Sequence, residues 1–433
     1  MTVPRELTVL LDRRVVGHLT AAATGGYRFR YADSWLGDPN AYPVSLALPL
    51  FAPEYEGLAV RHWLRGLLPD NEARLQEIET EFGVSRDDPY AMLAYVGEDC
   101  AGAVQFAAPQ RAAEIIAGRA ASAVEWLDDA TLETLLTEVA ARSSPHGRAV
   151  HTGQFSLPGA LGKVALVWDA QGDRWGRPSG QRASTHILKP PMPGVGGHNE
   201  NEHFCLQLAR AAGLPAASSR VIRFGNQSAI AVERYDRSAG ADGYVRRLHQ
   251  EDMAQALGLD PALKYATDAG AGIREIVRLL RDYGRPGDVD NFIRAVGFAW
   301  VTAGTDAHLR NFSILIEPGQ NQKLAPLYDL ASAFGFAMRG RGKRTLRMAM
   351  SIGGHTAMDE IGRDAWEREV QRSRLPRGVL AGVAELARRV AGLAPTVAER
   401  LADEEGLDAK YLQRLARAVA THASRCAAEL GGR

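Results

Sequence analysis

The sequence contains few cysteines and no long apolar run. Only Cys100, Cys205 and Cys426 occur in 433 residues. They are widely separated and form no C-x-x-C pair, so neither a disulfide framework nor a zinc site is supported. No apolar run reaches the roughly 20 residues that a membrane-spanning helix needs. The sequence therefore gives no support for a disulfide-rich, zinc-binding or membrane-spanning protein.

The sequence also lacks a net charge. Lys and Arg together number 51, as do Asp and Glu, so the formal net charge is zero. There is no global basic field for nucleic acid, and any such contact must come from a local patch. Residues 1–7 are soon followed by charged residues and do not resemble a signal peptide. We expect a soluble, cytoplasmic protein that does not associate with a membrane.

The pattern of predicted elements indicates a mixed fold. The chain length predicts two or three packed units. Strand-like runs occupy residues 7–11, 27–31, 44–48, 102–106, 163–168, 185–189, 221–224 and 229–232. Helical patterns occupy residues 72–82, 127–141, 200–212, 250–257, 272–283, 289–303, 365–371, 378–393 and 408–430. Strands followed by helices predict an α+β protein with two lobes and a ligand bound between them.

Three polar residues have the spacing of a protein-kinase-like catalytic centre. Asp306 and Asn311 lie five residues apart, and Asp329 follows 18 residues later. In that chemistry one Asp orients the acceptor hydroxyl, while an Asn and a second Asp hold Mg²⁺ against ATP phosphates. Asn311 and Asp329 suit the metal, which leaves Asp306 to face the acceptor. The alternative is that Asp306 caps a helix and His308 is a satisfied polar residue.

A second candidate is the glycine-containing segment before a predicted strand. Residues 155–163 include Gly159, Gly162 and Lys163. Glycines let backbone N–H groups approach a phosphate, and a lysine adds positive charge. The spacing fits neither a Walker A loop nor the glycine-rich loop of ordinary kinases. The alternative is a simple turn before a strand.

Two further candidates lie at strand ends. Lys189 ends a strand-like run, from which it could reach the ATP phosphates if a carboxylate held it. Glu202 is the first choice for that carboxylate and Glu200 the second, although acids at a helix start also favour the helix dipole. Residues 233–235 end a strand before the helical half, where a hinge could bind adenine through backbone groups. The alternatives are a solvated lysine and an ordinary charged strand end.

Taken in order, these segments resemble the HipA family of bacterial kinase toxins. The matching pieces are residues 64–71, 102–106, 155–163, 184–189, 232–237, 248–265 and 305–311 with Tyr328-Asp329. The runs 248–253 and 263–265 are the most family-specific. The resemblance extends over roughly residues 6–355. It implies a two-lobed, kinase-like α+β fold with an N-terminal subdomain at 1–108, an N-lobe with the ATP-binding loop at 109–236 and a helical C-lobe with the catalytic loop at 237–433.

The resemblance also implies a function. It predicts a serine/threonine protein kinase toxin that uses ATP and Mg²⁺ to phosphorylate a translation component, which is glutamyl-tRNA synthetase in the best-known relatives. It predicts a HipB-like DNA-binding antitoxin as partner, with repression of their own operon. Within the family Ser156 matches the position of inhibitory autophosphorylation, and a phosphate there would repel those of ATP.

The resemblance assigns roles to individual residues. Asp306 is the catalytic base, Asn311 and Asp329 are the Mg²⁺ ligands, and Lys189, oriented by Glu202, binds the ATP phosphates. The other predicted ATP-binding residues are Pro158, Gly159, Ala160, Leu161, Gly162, Lys163, Glu233, Arg234, Tyr235, His308, Leu309, Arg310, Asn311, Tyr328 and Asp329. Leu161 and Gly162 depart from the family pattern, and Gly162 would loosen the loop.

Two other functions remain open at this stage. One is a nucleotide-binding corepressor that holds an antitoxin on DNA with little kinase activity. The other is a small-molecule kinase of aminoglycoside-phosphotransferase type, against which the N-terminal unit and the Ser156 segment argue. The basic run that includes Arg341, Lys343 and Arg344 could contact operator DNA or an acidic or RNA-bound substrate. It could equally be a solvated loop.

Overall fold

The structure is a computed structural model. It describes residues 3–21, 26–142, 156–158, 162–192, 194–240, 244–263, 270–319, 322–336 and 345–431. The helices of these residues, in chain order, are α1 Asp33–Leu36, α2 Leu58–Gly66, α3 Glu72–Phe82, α4 Pro89–Val96, α5 Pro109–Ile116, α6 Asp129–Arg142, α7 His198–Ala211, α8 Met253–Ala256, α9 Ile273–Tyr283, α10 Asp288–Val301, α11 Arg363–Arg372, α12 Val379–Glu405 and α13 Ala409–Gly431.

The strands lie mostly in the first 250 residues. They are β1 Glu6–Leu11, β2 Arg14–Ala21, β3 Tyr27–Tyr31, β4 Glu54–Glu56, β5 Val104–Ala107, β6 Ser122–Leu127, β7 Val164–Asp169, β8 Arg174–Gly180, β9 His186–Lys189, β10 Ser219–Phe224, β11 Gln227–Glu233, β12 Arg237–Ala239, β13 Val245–Arg247, β14 Gln250–Asp252, β15 Ser313–Leu315, β16 Lys323–Leu324, β17 Arg347–Ile352 and β18 His355–Ala357. None of the helices in the described ranges is long and apolar enough to cross a membrane.

The chain forms two compact units. Unit 1 comprises Met1–Pro193, Ile222–Ala262 and Ile314–Gln322, and unit 2 comprises Gly194–Val221, Leu263–Ser313 and Lys323–Arg433. The three-part division at residues 108 and 236 stays a prediction.

The two largest sheets of the described residues lie in unit 1 and have separate cores. The first has the order β4-β3-β2-β1-β5, with antiparallel neighbours. Strand β3 alternates, so Tyr27, Phe29 and Tyr31 point inward while the arginines between them stay exposed. The second sheet has the order β10-β11-β9-β7-β8-β6. Its core includes Leu136 of α6 and Leu188 of β9.

Unit 2 is mostly helical. Helices α12 and α13 pack against each other, and α10 packs on α12. Helix α7 begins at His198, and the glycine after its end, Gly213, has φ +79°. This is the left-handed conformation expected of a residue that follows a helix. The sequence prediction of this helix is confirmed.

Two local predictions were wrong. Residues 44–48 form no strand, because their N–H groups are bound elsewhere: Val44 donates to the Tyr31 hydroxyl at 3.0 Å and Leu46 to the Glu251 carboxylate at 2.7 Å. Residues 250–257 are not one helix. Strand β14 occupies the first three, and the Asp252 side chain then accepts from the N–H of Gln255 to start α8.

The family-specific run at residues 248–253 has a structural role within unit 1. The His249 ring bonds to the carbonyl oxygen of Val44 at 2.9 Å. The Glu251 carboxylate accepts from Leu46 N–H, and Gln255 Nε2 lies 3.5 Å from the carbonyl oxygen of Trp63. These contacts attach α8 and β14 to the loop at residues 44–46 and to α2.

We expect Gly66→Ala to destabilise this connection. A Cβ at Gly66 would lie 2.6 Å from Cγ of Gln255, whose buried side chain bonds to Asp252 N–H. Alanine favours a helix over glycine by about 1 kcal/mol, but the displaced Gln255 would lose its bonds. The net loss should be roughly 1–2 kcal/mol, measured by urea unfolding. The control is Gly392→Ala in α12, where nothing lies within 4 Å of the new Cβ. Equal effects of the two changes would contradict this account.

Candidate active site

The predicted catalytic loop follows the end of α10 in unit 2. Ala303 has φ +54°, a left-handed conformation that turns the chain out of the helix. Its carbonyl oxygen accepts from Ala333 N–H at 2.9 Å. A short 3₁₀ helix, Leu309–Asn311, then closes the loop. The segments that carry Asp306 and Asp329 are thus connected through their backbones.

The Asn311 side chain closes the loop on itself. Its Nδ2 donates to the carbonyl oxygen of Asp306 at 2.7 Å, and its own N–H donates to the carbonyl oxygen of His308. Asn311 is buried, whereas the Asp306 side chain is 67% exposed. Because Asn311 Nδ2 donates within the loop, Oδ1 is the side-chain atom that can bind a ligand outside the loop.

The segment before Asp329 is bound to the same loop. The Tyr328 hydroxyl donates to the carbonyl oxygen of Arg310 at 2.9 Å and lies 2.6 Å from Ser313 Oγ. Tyr328 precedes Asp329 and Arg310 precedes Asn311, so this bond keeps the two predicted metal ligands on neighbouring backbone segments. Asp329 has φ +56°, an unfavourable conformation that non-glycine residues tend to keep at functional sites.

These residues fit a magnesium ion that is shared with a nucleotide. Asn311 Oδ1 and the Asp329 carboxylate are hard oxygen donors, and Mg²⁺ commonly takes one or two protein ligands with phosphate and water completing the shell. In the part of the chain that the structure describes, no group of three or more His, Cys, Asp or Glu could hold a metal by itself. Two oxygen donors from the protein suit an ion whose other ligands are phosphate and water.

Sequence reasoning missed the residues that support the segment after Asp329. Asn201 of α7 donates from Nδ2 to the carbonyl oxygen of Ser332 at 2.9 Å, and its Oδ1 accepts from Ser332 N–H at 3.0 Å. The Tyr411 hydroxyl donates to the carbonyl oxygen of Gly335 at 3.0 Å. A Cβ at Gly335 would lie 2.3 Å from Asn201 Nδ2. No local spacing in the sequence signals these long-range bonds.

The remaining predicted residues of unit 2 are also placed. His308 and Leu309 are buried, and His308 Nε2 lies 3.9 Å from an Asp306 oxygen. Glu202 is buried in the second turn of α7, and Glu200 precedes it in the first. The buried position of Glu202 agrees with a carboxylate that needs a cationic partner.

Lys189 and the segment near Lys163 belong to unit 1. Lys189 is the last residue of β9, is 7% exposed and faces Ile230 of β11 in the ladder. Lys163 Nζ donates to the carbonyl oxygen of Pro158 at 2.5 Å, which fastens the ends of the predicted phosphate loop. Gly162 precedes β7, while Gly159, Ala160 and Leu161 lie outside the described residues, as do Arg341, Lys343 and Arg344.

The Arg234 side chain in the predicted hinge is occupied by structural contacts. It donates to both oxygens of Asp236, at 3.0 and 2.8 Å, and to Ser184 Oγ at 2.9 Å. Burial alone would raise the pKa of Asp236, but the adjacent Arg234 and Arg237 guanidinium groups hold it well below its usual range. The Arg234 side chain is therefore used in contacts within unit 1.

The backbone groups of Arg234 are also hydrogen-bonded within unit 1. Arg234 N–H donates to the carbonyl oxygen of Thr185 at 2.9 Å, and the carbonyl oxygen of Arg234 accepts from Arg237. Glu233 ends β11 with an exposed side chain, and the Tyr235 hydroxyl donates to Gln250 Oε1 at 2.6 Å. Backbone groups of Glu233 and Tyr235 are therefore the best candidates for contacts with an adenine ring.

Ser156 is buried in unit 1. Its Oγ donates to the carbonyl oxygen of Leu67 at 2.7 Å, and its N–H donates to the carbonyl oxygen of Asp99 at 3.0 Å. The side chain has no exposed surface. A hydroxyl in this position cannot receive a phosphate unless its segment first moves.

Comparison with known proteins agrees with this architecture. Residues 7–107 match the HipA N-terminal domain and residues 155–402 match the HipA-like C-terminal domain. The protein Y4mE of Sinorhizobium fredii, which carries the name of a kinase, is 37% identical over 405 residues, covering 93% of this chain and 92% of Y4mE. The serine/threonine-protein kinase toxin HipA of Shewanella oneidensis is 27% identical over 348 residues, covering 75% of each chain.

A solved structure has the same fold. It is the HipA of Shewanella oneidensis in a complex with HipB and operator DNA, with a TM-score of 0.79, 21% identity and 97% coverage of both chains. The sequence relatives named as kinases place the chain in the class of kinase-type enzymes, which use a nucleotide. Within that class, the chain belongs to the HipA family of serine/threonine kinase toxins.

Proposed function

We propose that this protein transfers the γ-phosphate of ATP to a serine or threonine of a protein. The observation that carries the proposal is the closed loop in which Asn311 Nδ2 binds the Asp306 carbonyl oxygen, with Tyr328 bonded to the same loop. This arrangement leaves an exposed carboxylate at Asp306 and fixes Asn311 Oδ1 and Asp329 on adjoining segments. A kinase needs this division between a base and metal ligands.

Each residue then has a defined role. Asp306 orients the acceptor hydroxyl and accepts its proton, and Asn311 and Asp329 hold Mg²⁺, which when bound neutralises charge on the phosphates. Lys189 binds phosphate oxygens, and Glu202 supports it. The segment Pro158–Lys163 and residues Glu233–Tyr235 bind the rest of the nucleotide.

We further propose the biological setting. The substrate is a translation component, with an aminoacyl-tRNA synthetase, glutamyl-tRNA synthetase first, as the candidate. A HipB-like antitoxin neutralises the kinase and represses the operon with it, which is supported by the complex in which the structural relative was solved. Autophosphorylation at Ser156 switches the kinase off. The burial of Ser156 supports a switch, since a phosphoserine of about −2 charge could not return to the Leu67 carbonyl oxygen.

The test is phosphotransfer from Mg²⁺-ATP by the purified full chain, alone and with glutamyl-tRNA synthetase and tRNA, read by mass spectrometry. We expect phosphate on Ser156, on the synthetase or on both, and loss of transfer when EDTA removes the metal. Nucleotide binding with no transfer to any protein, including those of a cell lysate, would favour the corepressor function instead. Transfer to the synthetase but not to Ser156 would retain the kinase and reject the switch.

A further inference from the structure

A basic groove, separate from the catalytic loop, lies in unit 2 between α11, the start of α12 and the end of α13. Its volume is about 860 Å³. Its charged lining consists of Arg363, Arg374, Arg377 and Arg388 against Glu367. The groove is therefore strongly positive in a chain whose net charge is zero.

Two of the four arginines in the groove pair with carboxylates of the described residues, and two do not. Arg363 pairs with Glu367 at 3.3 Å, and Arg388 pairs with Glu385 at 2.8 Å. Arg374 and Arg377 are exposed, and their side chains form no hydrogen bond or ion pair with other residues of the described ranges. Two guanidinium groups are thus available to an anionic ligand, each able to bind a carboxylate with two parallel hydrogen bonds.

The backbone at Arg374 is held in an unfavourable conformation. Arg374 has φ +53° at the end of α11, where Leu375 N–H donates to the carbonyl oxygen of Val370 at 2.8 Å. Glycine is the usual residue in such a helix ending, because it adopts positive φ without strain. Arg281 fixes the turn further by donating to the Arg374 carbonyl oxygen at 2.8 Å. An arginine at this position points to a use for its side chain.

Aliphatic side chains form the rest of the groove. They include Val370, Leu375, Leu380, Ala384 and Leu430. The described lining contains no aromatic side chain on which a nucleic acid base could stack. Arginines beside an aliphatic floor match a peptide that alternates carboxylates with aliphatic side chains better than they match single-stranded RNA or DNA.

We propose that this groove is a docking site for an acidic, aliphatic segment of a protein partner. Arg374 and Arg377 bind its carboxylates, and the floor near Leu375 and Leu380 binds its aliphatic side chains. The proposal goes beyond the kinase function and does not depend on it, since none of these residues belongs to the catalytic loop.

The test is fluorescence anisotropy with the full chain and a short labelled peptide in which Glu and Asp alternate with Leu. We expect the wild type to bind it and Arg374→Gly combined with Arg377→Gln to weaken binding by about tenfold or more. Arg417→Gln is the matched control, an exposed arginine on α13 outside the groove, and should bind as the wild type does. The Arg374→Gly change relieves backbone strain, so the thermal midpoint of the double variant should not fall below that of the wild type.

Several outcomes would overturn the proposal. They are no binding by the wild type, equal binding by the double variant, and equal loss in the Arg417→Gln control. A peptide with only Glu that binds as tightly would reject the aliphatic floor. A single-stranded oligonucleotide that binds more tightly than the peptide would identify the groove as a nucleic acid site.

Discussion

Replacing Asp306 by Asn is expected to lower phosphotransfer by roughly 10²–10⁴-fold, the usual contribution of a positioned general base. The Asn side chain keeps the size of Asp but cannot accept the hydroxyl proton. The backbone carbonyl of Asp306, and not its carboxylate, binds Asn311 Nδ2, so the loop should survive the change. Since the side chain is 67% exposed, unfolding free energy should change by only about 0.5 kcal/mol. Initial rates with Mg²⁺-ATP and thermal unfolding measure both effects.

A matched control separates chemistry from surface charge. Asp282→Asn makes the same chemical change at an exposed position on α9 and should leave phosphotransfer unaffected. Nucleotide affinity should persist in Asp306→Asn, because Asn311 and Asp329 are intact. Retention of activity within a few fold would reject Asp306 as the base. Loss of activity together with a lower thermal midpoint would instead indicate a structural role.

The sequence predicts the residues of the loop but not those that support it. The spacing of Asp306, Asn311 and Asp329 is local chemistry, and it can be read without knowing the fold. The Asn201 bonds to Ser332 connect positions 131 residues apart. Such pairs are fixed by how helices pack, and a single sequence does not record that packing.

Helix α12 shows the same limit in secondary structure. The sequence pattern predicts a helix over residues 378–393, which ends two residues before Pro395. Proline inside a helix removes a hydrogen bond and usually ends or kinks the helix. The helix instead continues to Glu405. Val397, Ala398 and Leu401 beyond the proline are buried, and α12 packs along α13. Burial of these side chains outweighed the tendency of proline to end a helix. A pattern read from a short stretch of sequence does not include such long-range packing.

The connection made by residues 249–251 should also be visible in the pH dependence of stability. Burial raises the pKa of Glu251 from 4.5 to about 8 and lowers the pKa of His249 from 6.5 to about 4. Between pH 4.5 and 6.5 each state holds one proton on this pair of residues, on His249 in the unfolded chain and on Glu251 in the native chain. The pair therefore adds no pH dependence to the free energy of unfolding in this range. From pH 6.5 to 8 only native Glu251 holds a proton that the unfolded chain releases, and stability falls as pH rises.

Glu251→Gln should remove this fall. The Gln Oε1 can still accept from Leu46 N–H, but it does not titrate. At about 1.4 kcal/mol per pH unit, the wild type should lose roughly 2 kcal/mol between pH 6.5 and 8, while the variant stays level there. Below pH 6.5 the variant should lose stability as pH falls. The unfolded chain then gains a proton on His249, and the native variant has no protonated Glu251 to balance it.

Urea unfolding of both proteins across pH 4.5 to 9 makes the comparison, with buffers matched in ionic strength. Glu399→Gln, an exposed position on α12, is the control and should follow the wild-type profile. Parallel profiles for Glu251→Gln and the wild type would mean that Glu251 is ionised in the native protein. In that case the buried carboxylate would need a cationic or hydrogen-bonding partner besides Leu46 and Ser45, because a buried charge is otherwise costly.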